Sequence, residues 1–557
     1  MSMFRVATEG KALCGIYCDK GMEKAAEQLK IYLQKITGAE FACLTEKTGA
    51  RFEIVFDESV KYFKWDIAGE ALIISAPTDV KAGWGVFHLL DKLAGCVFCT
   101  STYEVIPGNK NLILETEAYE HAPAFEYNDI HYKDYWEPLF AMKMGTASMA
   151  FSKEDAVSLW GNGTCHTMGH LLGYEKYDEH PEYFCMRNGE RLKPEKWMTL
   201  GGGMHIGNLQ PCLSNPDVLE IICENLKKEM DEKPEALYWS VSQDDNFNYC
   251  QCPECARVDE EEGSHLGTYI RFVNKVAERF PDKIISTLAY QFTRKPCKIT
   301  RARENVNFVL CNIEAYRDKP IATDPANADS KNELIEWRKI ASNIYYWDYC
   351  IQFTHLVSPF PNFRTLAENM KFFAEGGIST MFSQANREVL GEFAELRGYY
   401  LAKLTADPYA DPQAIIEKFC NAYYGAAAPF ILEYIDIMHD ALENSRLKLS
   451  IFGSPCDAVG SYLKRELFEK YMALFDEAEE AVADDKELLN HVRLARMPLY
   501  YAGVEIGYGD KFDQYEMLAN FTKIAQENGV DMVWEIGRET TNQFIANSMT
   551  RLAKWDD

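Results

Sequence analysis

Short apolar runs alternate with amphipathic helices over the middle of this chain, from about residue 119 to 405. Repeated strand–helix units over roughly 250 residues predict a parallel (β/α)8 barrel of the TIM type. Seven runs have the β-branched and aromatic composition of strands: 125–132, 147–151, 237–242, 284–290, 307–313, 344–347 and 379–383. The remaining strand is expected in the polar stretch between residues 150 and 207. A doubly wound parallel sheet is the alternative.

The length of 557 residues is too great for a single hydrophobic core. We therefore expect three domains, with the barrel at 119–410. Residues 1–118 combine two helical patterns with strand-like runs, which predicts an α/β sandwich. Residues 411–557 contain five helical segments with acidic faces, which predicts a helical bundle. Such a bundle either braces a catalytic domain or mediates homo-oligomerisation.

Polar side chains follow most of the predicted barrel strands. Because the carboxyl ends of barrel strands share one face, these side chains are expected to converge in one mouth. The set comprises Gln243, Asp244, Asp245 and Asn246 after the fourth strand, Tyr290 after the fifth, Glu314 after the sixth, Asp348 after the seventh and Gln384 after the eighth.

Asp244 and Asp245 are adjacent carboxylates at the end of a strand-like run, 238–242. Their mutual repulsion predicts a raised pKa for at least one of them. A general acid working near neutral pH needs such a shift. The alternative is a capped turn, since Asp and Asn are also common at strand ends and helix N-termini.

Trp347 and Asp348 place an aromatic ring beside a carboxylate at a strand end, a combination suited to stacking on a sugar and gripping its hydroxyls. His166, in a glycine-containing loop, is a candidate hydrogen-bonding partner for a polar substrate. The alternatives are a core tryptophan, a turn-capping aspartate and a packing histidine.

Cys250, Cys252 and Cys255 form a C-x-C-x-x-C pattern that could hold zinc if Cys297 or His265 supplied a fourth ligand. The chain has no second C-x-x-C pair, which favours buried or reactive thiols over a metal. No triad of histidine and carboxylate ligands is spaced for a catalytic metal, and no dinucleotide or phosphate-binding motif occurs. The sequence therefore predicts no cofactor.

The formal net charge of −27 disfavours binding to nucleic acid or to an anionic membrane. The amino terminus lacks an apolar signal core, and no apolar run reaches the length of a transmembrane helix. A cytoplasmic location is therefore expected. The 17 cysteines lack the spacing of a disulfide framework.

Several segments of the chain resemble a bacterial family catalogued as domain of unknown function 4838, some of whose members are placed in glycoside hydrolase family 163. The resemblance extends over about residues 125–425. It is carried by S-V-S-Q-D-D-N-F-N-Y-C-Q-C-P-E-C from Ser240, D-E-E-E-G-S from Asp259, I-S-T-L-A-Y-Q from Ile285, H-P-E-Y-F from His180, Y-W-D-Y from Tyr346, P-F-P-N from Pro359 and G-E-F-A-E-L-R from Gly391.

This resemblance implies an endo-β-N-acetylglucosaminidase or a related retaining hexosaminidase acting on an oligosaccharide or glycoconjugate. In similar enzymes one carboxylate orients the 2-acetamido group of the substrate and its neighbour protonates the leaving oxygen, which implies these roles for Asp244 and Asp245. The first domain resembles the one preceding the barrel in α-glucuronidases and β-hexosaminidases. Family members often carry F-E-Q-G after the eighth strand, whereas this chain has Ser383 in place of the glutamate.

Two rival functions remain open on the sequence. The first is a glycosidase for a uronic acid or neutral sugar, in which Asp245 works with Glu314 or Asp348 in a two-carboxylate mechanism. The second is a carbohydrate-binding protein without activity, in which the barrel persists and the carboxylate replaced by Ser383 is lost.

Overall fold

The computed structural model describes residues 2–147, 160–195, 198–199, 205–386, 390–535 and 538–554. Its first part is a six-stranded mixed sheet covered by two helices, α1 (Glu23–Thr37) and α2 (Asp79–Leu93). Apolar residues on one face of α1 pack into the core, and Gly38 ends the helix in a left-handed conformation. The strands are β1 (Gly15–Cys18), β2 (Cys43–Leu44), β3 (Arg51–Phe56), β4 (Lys64–Ala68), β5 (Ala71–Ala76) and β6 (Tyr119–Glu120), in the order β6-β4-β5-β3-β1-β2.

The central sheet consists of six parallel strands, and its first strand pairs with its last. The strands are β7 (Tyr127–Ile130), β8 (Tyr238–Ser240), β9 (Ile284–Ala289), β10 (Val306–Cys311), β11 (Asn343–Tyr349) and β12 (Thr380–Gln384), in the order β7-β12-β11-β10-β9-β8. From β8 to β12 each strand lies beside its successor in the sequence. A doubly wound sheet would reverse direction at a switch point, so this order disagrees with the alternative considered from the sequence.

The sheet is curled rather than flat. The Trp160 ring stacks on Tyr238 of β8 at 5.1 Å between centroids and lies 5.7 Å from Tyr345 of β11. A flat sheet would hold these two strands roughly 14 Å apart. Tyr127 of β7 lies 5.9 Å from the same Tyr345 ring. Aromatic side chains from distant strands therefore meet inside the curve.

Six of the eight predicted barrel strands form this sheet, and single bridging residues extend both of its edges. Ala147 bridges in parallel to Asp129, and Trp160 bridges in parallel to Tyr238. Of the predicted strand 147–151, only Ala147 lies within the described residues. Trp160 falls in the region where the hidden strand was expected.

Helices surround the sheet and follow it to the end of the chain. Around the sheet they are α3 (Pro138–Met144), α4 (Met168–Leu172), α5 (Pro216–Glu232), α6 (Pro253–Glu262), α7 (Leu266–Arg279), α8 (Ala328–Trp337), α9 (Phe363–Glu375) and α10 (Ala394–Ala406). Beyond it lie α11 (Pro412–Tyr424), α12 (Ala428–Glu443), α13 (Arg465–Ala481), α14 (Lys486–Ile506), α15 (Lys511–Asn528) and α16 (Thr541–Ala553), with a hairpin of β13 (Met532–Trp534) and β14 (Glu539–Thr540) before α16. None of the helices described combines the length and apolar character needed to cross a bilayer.

Candidate active site

The segment after β8 brings two carboxylates to the carboxyl end of the sheet in different environments. The backbone N–H of Val241 donates to the carbonyl of Ser286 at 2.8 Å. This bond keeps the chain aligned with β9 just after β8 ends. Asp244 is fully buried, whereas Asp245 is half-buried. Of the adjacent carboxylates, Asp245 is therefore the one that solvent or a ligand can reach.

Two side chains from the loop after β9 donate hydrogen bonds to the Asp245 carboxylate. Tyr290 donates through its hydroxyl at 3.2 Å and Gln291 through Nε2 at 2.8 Å, both to Oδ1. Gln291 has a φ of +53°, a conformation that non-glycine residues adopt mainly where their surroundings enforce it. The strained backbone thus delivers the amide of Gln291 to Asp245.

Asp244 carries a raised pKa. Burial in the protein interior is the largest cause of the shift; the Gly169 N–H, which donates to Oδ1 at 3.3 Å, opposes it, and the charge of Asp245 adds to it. The sequence predicted a raised pKa within this pair from mutual repulsion, but desolvation contributes more. Among the described residues, Asp244 Oδ2 has no hydrogen-bonding partner.

Gln210 holds the backbone of the loop after β8 that carries Asp244 and Asp245, here called the carboxylate loop, and no sequence signal singled it out. Its Nε2 donates to the Asp244 carbonyl at 2.8 Å, and its Oε1 accepts from the Asp244 N–H at 3.2 Å and from the Tyr269 hydroxyl at 3.1 Å. Asn246, predicted to bind substrate, donates to the carbonyls of Gly207 and Leu209 at 2.8 and 3.0 Å. Both amides are thus engaged in fixing the loop.

Gln243 and His166 also interact with this segment. The fully buried Gln243 donates to the Tyr290 carbonyl at 3.0 Å and to the Thr293 hydroxyl at 2.7 Å. His166 Nδ1 lies 2.8 Å from the Gln243 carbonyl, so it must carry a proton. Burial lowers the pKa of His166, which favours a neutral ring with Nε2 as an acceptor.

Glu314, a predicted catalytic residue, is exposed and paired with Arg294 at 2.7 Å. Arg294 also pairs with Glu333 at 2.6 Å. Burial is the main cause of a raised pKa at the Cys311 thiol, and the charges of both Glu314 and Asp245 add to it. Among the contacts described, no direct contact joins the carboxylates of Glu314 and Asp245.

Trp347, Gln384 and Glu535 form a chain of hydrogen bonds at the ends of β11 and β12. Trp347 Nε1 donates to Gln384 Oε1 at 2.7 Å, and Gln384 Nε2 donates to Glu535 Oε1 at 2.8 Å. All three side chains are partly exposed. Glu535 comes from the segment after β13, more than 150 positions beyond β12, and sequence reasoning missed it.

Asp348 lies in the interior instead of at an open surface. Its Oδ1 accepts from Asn312 at 2.7 Å and lies 3.7 Å from Arg317, and both charged side chains of this ion pair are fully buried. Its predicted partner Trp347 lies on the same strand and is partly exposed. The two residues are therefore adjacent in the chain without sharing an environment.

A family model described as a domain of unknown function, DUF4838, matches residues 98–436. The chain belongs to this family. The match covers every site residue named above except Glu535. Among the curated proteins, none matches this DUF4838 chain.

Solved structures similar to this DUF4838 protein include glycoside hydrolases of low sequence identity. One is a family 115 4-O-methyl-α-glucuronidase with specificity for decorated arabinogalactans, with a TM-score of 0.56, 11% identity, and coverage of 97% of this chain and 78% of the other. Another is a family 89 glycoside hydrolase from Clostridium perfringens in complex with 2-acetamido-1,2-dideoxynojirimycin, with a TM-score of 0.50, 11% identity, and coverage of 96% and 70%. At such identity the likeness establishes a shared fold.

The sequence offered Cys297 or His265 as a fourth ligand beside Cys250, Cys252 and Cys255, and the structure places neither of them there. The Sγ atoms of Cys250, Cys252 and Cys255 cluster with that of Cys212. His265 instead contacts Asp259 through Nδ1 at 3.0 Å. Cys297 is buried outside the cluster. The sequence could not identify Cys212, because it lies almost 40 positions away and belongs to no spaced motif.

Proposed function

We propose that this protein is a glycoside hydrolase that cleaves a β-linked N-acetylhexosaminide, with Asp245 as the proton donor to the leaving oxygen. The observation that carries the proposal is the reachable Asp245 carboxylate, held by Tyr290 and Gln291 at the carboxyl end of β8. Barrel enzymes place their catalytic groups at this end of the strands.

We further propose that the curled sheet closes as an eight-stranded barrel through the segments containing Ala147 and Trp160.

The proposed reaction uses the acetamido group of the substrate as the nucleophile. Its carbonyl oxygen attacks the anomeric carbon while the bond to the leaving oxygen breaks and Asp245 gives that oxygen its proton. Water, deprotonated by Asp245, then opens the bicyclic intermediate, and the anomeric configuration is retained. Each cycle consumes one water and returns the proton to Asp245.

Asp244 has a supporting role in this proposal. Because its pKa is raised, the carboxyl is more readily neutral and then adds no second negative charge beside Asp245. A buried polar atom without a partner calls for an explanation, and Oδ2 of Asp244 is such an atom among the described residues. A carboxyl with a raised pKa places less uncompensated charge on this oxygen, so we assign Asp244 to shaping the site beneath Asp245 rather than to contact with the substrate.

The remaining predicted residues divide between sugar contacts and support. Trp347 and Gln384 are partly exposed and supply a ring face and an amide for a sugar, and neutral His166 supplies an acceptor. The exposed Glu314 is held by Arg294, and the buried Asp348 is held by Arg317 and Asn312. We assign these last two carboxylates to positioning the loops rather than to bond cleavage.

A uronic acid is the main rival substrate, since one similar structure is described as a 4-O-methyl-α-glucuronidase. Recognition of a uronate calls for a cation that is free to pair with it. Arg294 and Arg317, on the loops after β9 and β10, are each already paired with carboxylates. Within the described residues, this pairing favours a sugar without a carboxylate.

The experiment compares hydrolysis of nitrophenyl β-N-acetylglucosaminide, β-glucoside and β-glucuronide by the full chain. We expect turnover of the first, and inhibition by a thiazoline that mimics the bicyclic intermediate. Turnover of the glucuronide or glucoside without thiazoline inhibition would instead support a two-carboxylate mechanism. Glycan binding by calorimetry, without hydrolysis of any substrate, would indicate a carbohydrate-binding protein.

A further inference from the structure

Four cysteine thiols from two separate stretches of the chain meet in the interior. Cys212 precedes α5, Cys250 and Cys252 lie in the loop after the Asp245 segment, and Cys255 lies in the first turn of α6. Their Sγ atoms all lie within 4.8 Å of one another, and each residue is at most 7% exposed. All four are free thiols. The local chain thus supplies three sulfurs and the distant Cys212 completes a set of four.

The separations suit a tetrahedral metal. A zinc–thiolate bond of about 2.3 Å places the sulfurs of an ideal tetrahedron roughly 3.8 Å apart. Cys212 Sγ and Cys252 Sγ are 3.6 Å apart, close to that edge. Small side-chain rotations would bring the wider pairs to the same separation. A set of four converging cysteine sulfurs is typical of structural zinc sites.

The surroundings supply donors suited to thiolate charge. The Met186 N–H lies 3.3 Å from Cys250 Sγ, and the Arg191 guanidinium lies 3.7 Å from the same sulfur. The Ser214 hydroxyl lies 3.4 Å from the sulfurs of Cys212 and Cys252. Such groups around the ligands are characteristic of metal–thiolate centres, because they stabilise the negative sulfurs and fix their orientation.

We propose that Cys212, Cys250, Cys252 and Cys255 bind one structural zinc ion. The ion joins the loop before α5 to the loop that follows Asp245. Gln210, two positions before Cys212, brackets the Asp244 backbone, so the metal also holds the frame of the candidate active site. The proposal does not depend on which sugar the protein cleaves, or on whether it cleaves one.

The first test measures metal in the purified full-length chain by elemental mass spectrometry. We expect about one zinc per chain, the stoichiometry of a four-thiolate site. Removal by a strong chelator should lower Tm, and zinc should restore it. Cobalt added to the stripped protein should give the charge-transfer and ligand-field bands of a tetrahedral thiolate complex.

The second test compares Cys212→Ser with Cys297→Ser, a buried cysteine outside the cluster. Cys212→Ser should lose nearly all bound zinc and the cobalt bands, whereas Cys297→Ser should retain both. Should Cys212→Ser fail to fold, the metal content and cobalt spectrum of the wild-type chain decide the matter alone. The proposal fails if wild-type protein supplied with zinc binds almost none, if the four sulfurs form disulfides, or if Cys297→Ser loses zinc as Cys212→Ser does.

Discussion

Asp244 and Asp245 are chemically identical neighbours that the fold treats differently. Asp244 enters the interior, where burial raises its pKa, while Asp245 faces outward and receives hydrogen bonds from Tyr290 and Gln291. The sequence predicted the pair and a raised pKa within it. It could not assign burial to one member, because that depends on Gly169 and Gln210, which reach the pair from other parts of the chain.

Asp244→Asn should change how stability depends on pH. Because the pKa of Asp244 is raised on folding, the folded state keeps its proton at pH values where the unfolded state has lost it. The contribution of Asp244 to stability is therefore fully present below the unfolded pKa of about 3.9 and is lost as pH rises toward the folded pKa. Asparagine removes this dependence.

Urea unfolding of Asp244→Asn and wild type from pH 4 upward measures the difference. The quantity compared is the free energy of unfolding of the variant minus that of wild type. We expect this difference to rise by about 1.4 kcal/mol per pH unit until the pH reaches the folded pKa of Asp244. Titrating groups remote from Asp244 contribute equally to both proteins and cancel. A difference that stays constant over this range would mean that Asp244 ionises normally in the folded state.

At the scale of elements, the short helix α4 packs against the carboxylate loop through a glycine. A Cβ at Gly169 would lie 2.6 Å from Asp244 Oδ2 and 2.7 Å from the Tyr174 hydroxyl. The close approach of α4 to the loop after β8 therefore depends on the missing side chain. The apolar face of α4 was hard to identify from sequence, because the helix is only five residues long.

Gly169→Ala should destabilise the protein by about 1–3 kcal/mol, the usual cost of overpacking a filled interior. Gly108→Ala is the matched control, since a Cβ there meets nothing within 4 Å and the position is exposed. The control should stay within roughly 0.5 kcal/mol of wild type. Equal effects of the two substitutions in chemical denaturation would show that Gly169 is not tightly packed.

The strand and helix elements of the sheet follow from local patterns, whereas the partners of the site residues do not. Alternation and apolar runs predicted β9 to β12 to within a few positions, because burial on both faces leaves a clear composition. The sequence predicted that Asp348 binds sugar, whereas the structure buries its carboxylate against Arg317 and Asn312. Long-range partners of this kind leave no periodic signal in the chain.

At the scale of the whole molecule, the segment after α15 returns to the sheet. Leu356 N–H donates to the Val533 carbonyl at 2.8 Å, and the Glu535 N–H donates to the Phe353 carbonyl at 3.0 Å, which docks this segment on the loop after β11. Glu535 thereby brings a carboxylate to Gln384 at the end of β12.

Glu535→Ala should weaken substrate binding through Gln384 and Trp347. In the wild type, Glu535 holds the Gln384 amide, and that amide orients the Trp347 ring. The substitution removes the hydrogen bond between residues 384 and 535, so both side chains lose their fixed positions. We expect KM to rise about tenfold, which corresponds to roughly 1.4 kcal/mol, with kcat largely retained. Glu527→Ala, at an exposed position on α15, is the control. An unchanged KM would remove Glu535 and its two partners from the sugar site.

Protonation of the leaving oxygen by Asp245 is tested most directly by the dependence of kcat/KM on the leaving group. A leaving group that departs as a stable anion needs no proton, whereas a sugar or alkyl alcohol does. Asp245→Asn should therefore lose about 10²–10⁴-fold on unactivated β-N-acetylglucosaminides and far less on the dinitrophenyl glycoside, with circular dichroism unchanged. An equal loss on all substrates, or no loss, would contradict the assignment.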